Sequence, residues 1–217
     1  MKALVLTDVH AEEYLLEKLP PLIKEHGVDA VILLGDITHN GPLVFAKEFL
    51  DTLESTGVKV FGVYGNMDNA QVAKMLEERG VSIHAKAIEF NGFRFIGFGG
   101  GPPSIFNTPS EASDDEFYKI LCNFEMDDKT VLVTHAPPKG CDMAVTGTRR
   151  DIGSAGLRRI IDEKQPLADL CGHVHEKQGE EMIGKTKIIK VGAAKNGNTA
   201  IVKFSSEGAS ARFIKLI

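Results

Sequence analysis

The chain has 217 residues, 43% of them hydrophobic and 25% charged, which suits one soluble domain with a sizeable core. No apolar run approaches the ~20 residues of a membrane span, and "ALVL" is too short for a secretory leader, so a cytoplasmic protein is expected. The net charge is −5 with no basic block, which argues against stable binding of duplex nucleic acid. Cys122, Cys141 and Cys171 lack CxxC spacing, which argues for reduced thiols.

Along the chain, "KALVLTD" reads as a buried strand, followed by a helix over residues 11–26 with Leu15, Leu16, Leu19, Leu22 and Ile23 at helical spacing. "AVILLGD" is a second strand and 43–56 a second helix, with Phe45, Phe49, Leu50 and Leu53 on one face. "KVFGVYGN" and residues 69–79 repeat the pattern, which predicts a parallel sheet with crossover helices. "KAIEFNGFRFIGFGG" predicts a hairpin turning at Asn91-Gly92, and "GGGPPSIFNTPS" a long loop. Ser113 and Glu116 have capping-box spacing and open a helix to about residue 124. "TVLVTH" is a strand, "CDMAVTGTRRD" a loop, "GSAGLRRIIDEKQ" a helix and "LADLCGH" a strand. Four more strands follow in "QGEEMI", "KTKIIKV", "NTAIVKF" and "SARFIKL". There is no linker and no repeat, so residues 1–217 read as one domain.

Five of these strands end in polar residues of one kind: Asp8 and His10, then Asp36, Asn66, His135, and finally His173 with His175. In an open α/β sheet, ligands bind beyond the carboxyl ends of the strands, so these side chains should meet on one edge. Any one of them has an ordinary structural explanation; the set of seven does not.

The set resembles the calcineurin-like metallophosphoesterase superfamily, whose motifs run D-x-H, G-D, G-N-H-D/E, H and G-H-x-H. Here they stand as Asp8-Val-His10, Gly35-Asp36, Gly65-Asn-Met-Asp68, Thr134-His135-Ala-Pro137 and Gly172-His-Val-His175. The resemblance implies an α/β/β/α four-layer sandwich, two mixed sheets flanked by helices, with the terminal strands in the second sheet. It implies two divalent ions, one held by Asp8, His10, Asp36 and His175 and the other by Asp36, Asn66, His135 and His173, with Asp36 bridging. Imidazole and oxygen ligands without thiolate suit Mn²⁺, Fe, Zn²⁺ or Ni²⁺. A water shared by such ions loses a proton easily and becomes the in-line nucleophile on phosphorus. Two dications, two carboxylates and one hydroxide leave the site at +1, which suits an anionic phosphoryl group without a basic surface.

The sequence departs from the pattern at Met67, where the family carries a histidine assigned to protonation of the leaving group. A thioether cannot donate a proton, so Met67 reads as an apolar filler. The function implied is a metal-dependent phosphodiesterase acting on a small phosphoester, strongest on good leaving groups. The alternatives are a phosphomonoesterase with another acid, or a metal-binding regulatory module without turnover. His39 is a candidate acid, Asp68 a group that orients a ligand imidazole, and Asn66, Arg149 and Arg150 candidate phosphate contacts. The Gly/Pro-rich loop reads as a lid or specificity element with Phe106 as an apolar wall.

Overall fold

A computed structural model of the chain describes residues 1–216. Strands β1 (Lys2–Leu6), β2 (Ala30–Leu34) and β3 (Lys59–Val63) are parallel neighbours. Helices α1 (Tyr14–His26), α2 (Leu43–Glu54) and α3 (Ala70–Glu78) make the connections. The first helix starts three residues later than its apolar spacing predicts. Asp8, His10 and Ala11 all adopt left-handed backbone, so the chain makes a tight loop after β1 before it can wind.

The hairpin β4 (Ala87–Phe90) and β5 (Phe93–Phe98) turns at Asn91-Gly92, with φ of 47° and 82°. This left-handed pair is what a two-residue turn needs. Helix α4 (Asp114–Leu121) carries the Ser113–Glu116 capping box. Then follow β6 (Thr130–Thr134), α5 (Ala155–Lys164), β7 (Ala168–Cys171), β8 (Gly179–Ile183), β9 (Thr186–Lys190), β10 (Asn198–Ser205) and β11 (Gly208–Lys215).

Two mixed sheets result, ordered β11-β10-β1-β2-β3 and β4-β5-β6-β7-β9-β8. Leu15, Leu19, Phe45, Phe49 and Val72 bury the helices α1–α3 against one sheet, and Phe117, Leu157, Ile160 and Ile161 bury α4 and α5 against the other. Phe61, Phe95, Val131, Leu170 and Val202 fill the space between the sheets. These three cores separate four layers, α/β/β/α.

The terminal strands do not all enter the second sheet. Only β8 and β9 do; β10 and β11 extend the first, with β10 antiparallel to β1. The physical reason is that β1 is central. One side of its backbone is taken by β2, and the other would be left without hydrogen-bond partners.

Asp169 of β7 is a buried acid outside the strand-end cluster. Thr134 Oγ1 donates to its Oδ1 at 2.9 Å, while its Oδ2 has no partner among the described residues. Burial pushes its pKa up to about 7. The unfolded chain holds an aspartate near 4, so the folded state binds the proton more tightly. Its contribution to stability is fully present below about pH 4, falls by up to about 1.4 kcal/mol per pH unit as the pH rises, and levels off above about 7. Asp169→Asn is expected to remove this slope. Urea unfolding at pH 5 and pH 8 should show wild type losing more stability than the variant between the two; equal losses contradict the assignment.

Candidate metal centre

The seven strand-end side chains converge at the carboxyl edge shared by both sheets. Asp8 and His10 follow β1, Asp36 follows β2 and Asn66 follows β3, all in the first sheet. His135 follows β6, and His173 and His175 follow β7, in the second. His10 Nε2 lies 3.2 Å from His175 Nε2 and 3.7 Å from both Asp8 Oδ1 and Asp36 Oδ2. His175 Nε2 is 3.1 Å from Asp8 Oδ1. On the other flank, His135 Nε2 is 3.4 Å from Asp36 Oδ2, 2.9 Å from Asn66 Oδ1 and 3.1 Å from His173 Nδ1. Asp36 Oδ2 thus stands between the two imidazole sets.

Each carboxylate has one oxygen tied and one turned inward. Asp8 Oδ2 accepts from Thr7 Oγ1 (2.8 Å) and the His173 N–H (3.0 Å), which leaves Oδ1 facing His10 and His175. Asp36 Oδ1 accepts from the Met67 N–H (2.7 Å), which leaves Oδ2 between the flanks. His135 Nδ1–H donates to the Leu34 carbonyl (2.8 Å), so in the neutral imidazole the lone pair is on Nε2.

The backbone accepts strain to achieve this. Asp8, His10, Asp36 and His173 have φ of 53°, 49°, 52° and 71°. Non-glycine residues rarely sit there, and clusters of them mark functional sites. Gly65 has no side chain because a Cβ would strike the Asp36 carboxylate and backbone nitrogen.

The electrostatics run the same way. Burial would raise the Asp8 carboxyl, but the His10 and His175 imidazoles beside it and the charge on His135 hold it well below the usual range. Burial would lower His135, but Asp36 and Asp8 push it up to about 9. His173 is pushed down to about 4 by burial and by His135. Paired buried carboxylates facing imidazole nitrogens form an anionic hollow. Two ligand groups, Asp8–His10–His175 and Asp8–Asp36–His135, each have their donor atoms within 4.8 Å of one another. Oxygen and imidazole donors without a thiolate fit divalent ions of the Mn, Fe, Zn or Ni type.

The calcineurin-like phosphoesterase family model matches residues 1–177. The chain belongs to the calcineurin-like phosphoesterase family. This is a family of metal-dependent phosphoester hydrolases, typically with two metal ions. The chain is similar to an uncharacterized protein of Methanocaldococcus jannaschii, 33% identical over 196 residues and covering 87% of each chain. It is also similar to a cAMP/cGMP dual specificity phosphodiesterase of Mycobacterium tuberculosis. That match is 26% identical and spans 72% of this chain and 51% of that one. In fold it resembles TT1561 of Thermus thermophilus, with a TM-score of 0.81 at 16% identity, covering 100% of this chain and 99% of that one.

This phosphoesterase carries a cavity of about 1090 Å³ over the cluster, lined by His10, Asp36, Asn66, His173 and His175 together with His39, Met67 and Arg150. The His39 ring centroid is 5.5 Å from that of His10. The Met67 side chain is half-buried at the cavity wall. Of the two arginines, Arg150 lines the cavity and Arg149 lies in the exposed loop beside it.

Asp68 does not orient an imidazole. Its carboxylate accepts from the N–H groups of Ile37 (3.2 Å), Thr38 (2.8 Å) and Gly65 (3.0 Å) and from Thr38 Oγ1 (3.0 Å). It ties the loop after β2 to the loop after β3, and so fixes Asp36 against Asn66 through backbone. Burial and the neighbouring Asp36 push its pKa up to about 6.

Sequence reasoning missed Lys190. It is fully buried, and its Nζ donates to the carbonyls of Val174 and Lys177. It thereby braces the loop that presents His173 and His175. The only signal was a lysine at the end of the apolar run "KIIK". Among the described residues no helix is long and apolar enough to cross a membrane.

Proposed function

We propose that the protein is a phosphodiesterase that uses two divalent ions, with manganese as the first to test, on a small phosphoester. The observation that carries this reading is the position of Asp36 Oδ2, 3.7 Å from His10 Nε2 and 3.4 Å from His135 Nε2, one oxygen common to two ligand sets. Bound there, a pair of dications supplies Lewis-acid chemistry, acidifying a water for in-line attack and neutralising charge on the phosphoryl group. Water adds to phosphorus, one P–O ester bond breaks, and that alcohol departs with a proton.

The chain's own residues do the rest. Asp8, His10, Asp36 and His175 would hold one ion, and Asp36, Asn66, His135 and His173 would hold the other. Asn66, beside His135, and Arg150, at the cavity wall, are the candidate contacts to phosphoryl oxygens. Met67 offers no proton where the family carries histidine, which favours esters whose leaving group needs little protonation. The similarity to a mycobacterial protein named as a cyclic-nucleotide phosphodiesterase points the same way. A monoesterase is the second reading, favoured by His39, which lines the cavity beside His10 and could serve as the acid. The net charge of −5 supports a small substrate over duplex nucleic acid, and three free cysteines support a reducing, cytoplasmic setting.

Turnover of bis-p-nitrophenyl phosphate and p-nitrophenyl phosphate, measured side by side with Mn²⁺, tests this reading. The diester is expected to turn over faster, and Met67→His is expected to raise the monoester rate more than the diester rate. If both rates respond equally, the account of Met67 fails. If neither ester turns over while metal binds, the protein is a binding module.

A further inference from the structure

Two large apolar side chains at the cavity rim stand in water. Ile105 is 73% exposed and Phe106 79%, and both line the cavity above the ligand cluster. An unsupported loop would fold such groups down or fluctuate. This one is pinned. Glu111 Oε1 accepts from four donors, the N–H and hydroxyl of Ser104 (3.2 and 2.8 Å) and the N–H and hydroxyl of Thr108 (2.8 and 2.8 Å). Ser104 Oγ also accepts from the Phe106 N–H at 3.2 Å. Pro102, Pro103 and Pro109 restrict the flanks.

The base of the loop is hydrogen-bonded to the ligand-bearing segment itself. The Ser110 N–H donates to the Asn66 carbonyl (3.0 Å), Ser110 Oγ to the Asp68 carbonyl (2.6 Å), and the Gly100 N–H to the Tyr64 carbonyl (2.9 Å). The backbone at Phe106 is therefore held at a set position relative to Asn66. A rigid support that keeps an aromatic ring exposed beside a polar site is what a binding surface requires, because the ordering cost is met before the ligand arrives.

We propose that the Ser104–Thr108 loop is a preordered clamp for a planar aromatic or heteroaromatic group carried by the phosphoester substrate. This rests on the phosphoesterase reading above and narrows it. A phosphate with no ring, such as a sugar phosphate or pyrophosphate, reaches the ligand cluster but leaves Phe106 and Ile105 in water. An ester bearing a ring fills both parts of the cavity.

Calorimetric titration of the Mn²⁺-loaded protein with phenylphosphonate and methylphosphonate tests the clamp without turnover. The wild type is expected to bind the phenyl compound about ten-fold more tightly or better. Phe106→Ala should bring the two affinities together and leave methylphosphonate binding unchanged. Glu111→Ala, which releases the latch, should do the same to a lesser extent. Absence of a ring preference in the wild type, or a preference that survives Phe106→Ala, overturns the proposal. So does a fall in oligomeric mass on Phe106→Ala with the preference intact, since the ring then belongs to a contact between copies. Failure of every ester to turn over would sink the hydrolase reading alone, because the phosphonate ratio is read independently of chemistry.

Discussion

Asp36→Asn is expected to lower phosphoester turnover by about a thousand-fold and to reduce the bound metal below two ions per chain. The substitution is nearly isosteric, so the loss comes from electronics. The Met67 N–H donates to Asp36 Oδ1 and demands an acceptor there. An asparagine keeps its carbonyl oxygen in that place and must turn its NH₂ toward His10 and His135. A donor then replaces the oxygen that stands between the two imidazole sets. Loss of a bridging charge of this kind is worth several kcal/mol, and about 4 kcal/mol corresponds to a thousand-fold. Steady-state kinetics with Mn²⁺ and elemental analysis of the dialysed protein give the two readouts. An asparagine variant that keeps two ions and most of its rate would show that Asp36 is not shared.

Gly65→Ala is expected to damage the same group from behind, by a different route. A Cβ there would meet the Asp36 carboxylate and backbone nitrogen too closely for either to stay in place. Overpacking alone costs about 1–3 kcal/mol, so the melting temperature should fall by several degrees even in chelator. Metal affinity should fall as well, because Asp36 Oδ2 is pushed off its station. The Asp36→Asn protein should show the second effect with little of the first. A Gly65→Ala protein with wild-type stability in chelator would mean that the loops after β2 and β3 yield easily, contrary to the Asp68 hydrogen bonds that join them.

The convergence of the strand-end cluster was legible because its members follow apolar strand runs within a few residues, and parallel topology sends such positions to one edge. Asp8, Asp36, Asn66 and His135 needed no more than that. The helices were legible from Leu15, Leu19, Phe45 and Phe49 at helical spacing. What was not legible depends on long-range pairing or on burial of a polar group. The alternation in "NTAIVKF" says that β10 is a strand and nothing about its partner, so its place beside β1 was missed. Asp68 has the same composition whether it faces an imidazole or four backbone and hydroxyl donors. Lys190 and Asp169 lie in runs that read equally well with their charges in solvent. The Glu111 latch joins residues within one loop, yet Ser, Thr and Glu in a loop carry no periodicity to announce it.

The pairing of β10 with β1 has a consequence for how the protein matures in the cell. All seven side chains of the strand-end cluster lie within the first 177 residues, the span matched by the family model. Yet Lys2 pairs with Lys203, the Ala194 N–H donates to the Thr7 carbonyl (2.8 Å), and the Lys195 N–H donates to the Asp8 carbonyl (3.1 Å). The first member of the cluster to be synthesised is thus among the last to be locked in place. A chain that stops at His175 carries all seven side chains of the cluster but leaves one edge of β1 unpaired, so the cluster should hold its geometry only once β10 is in place.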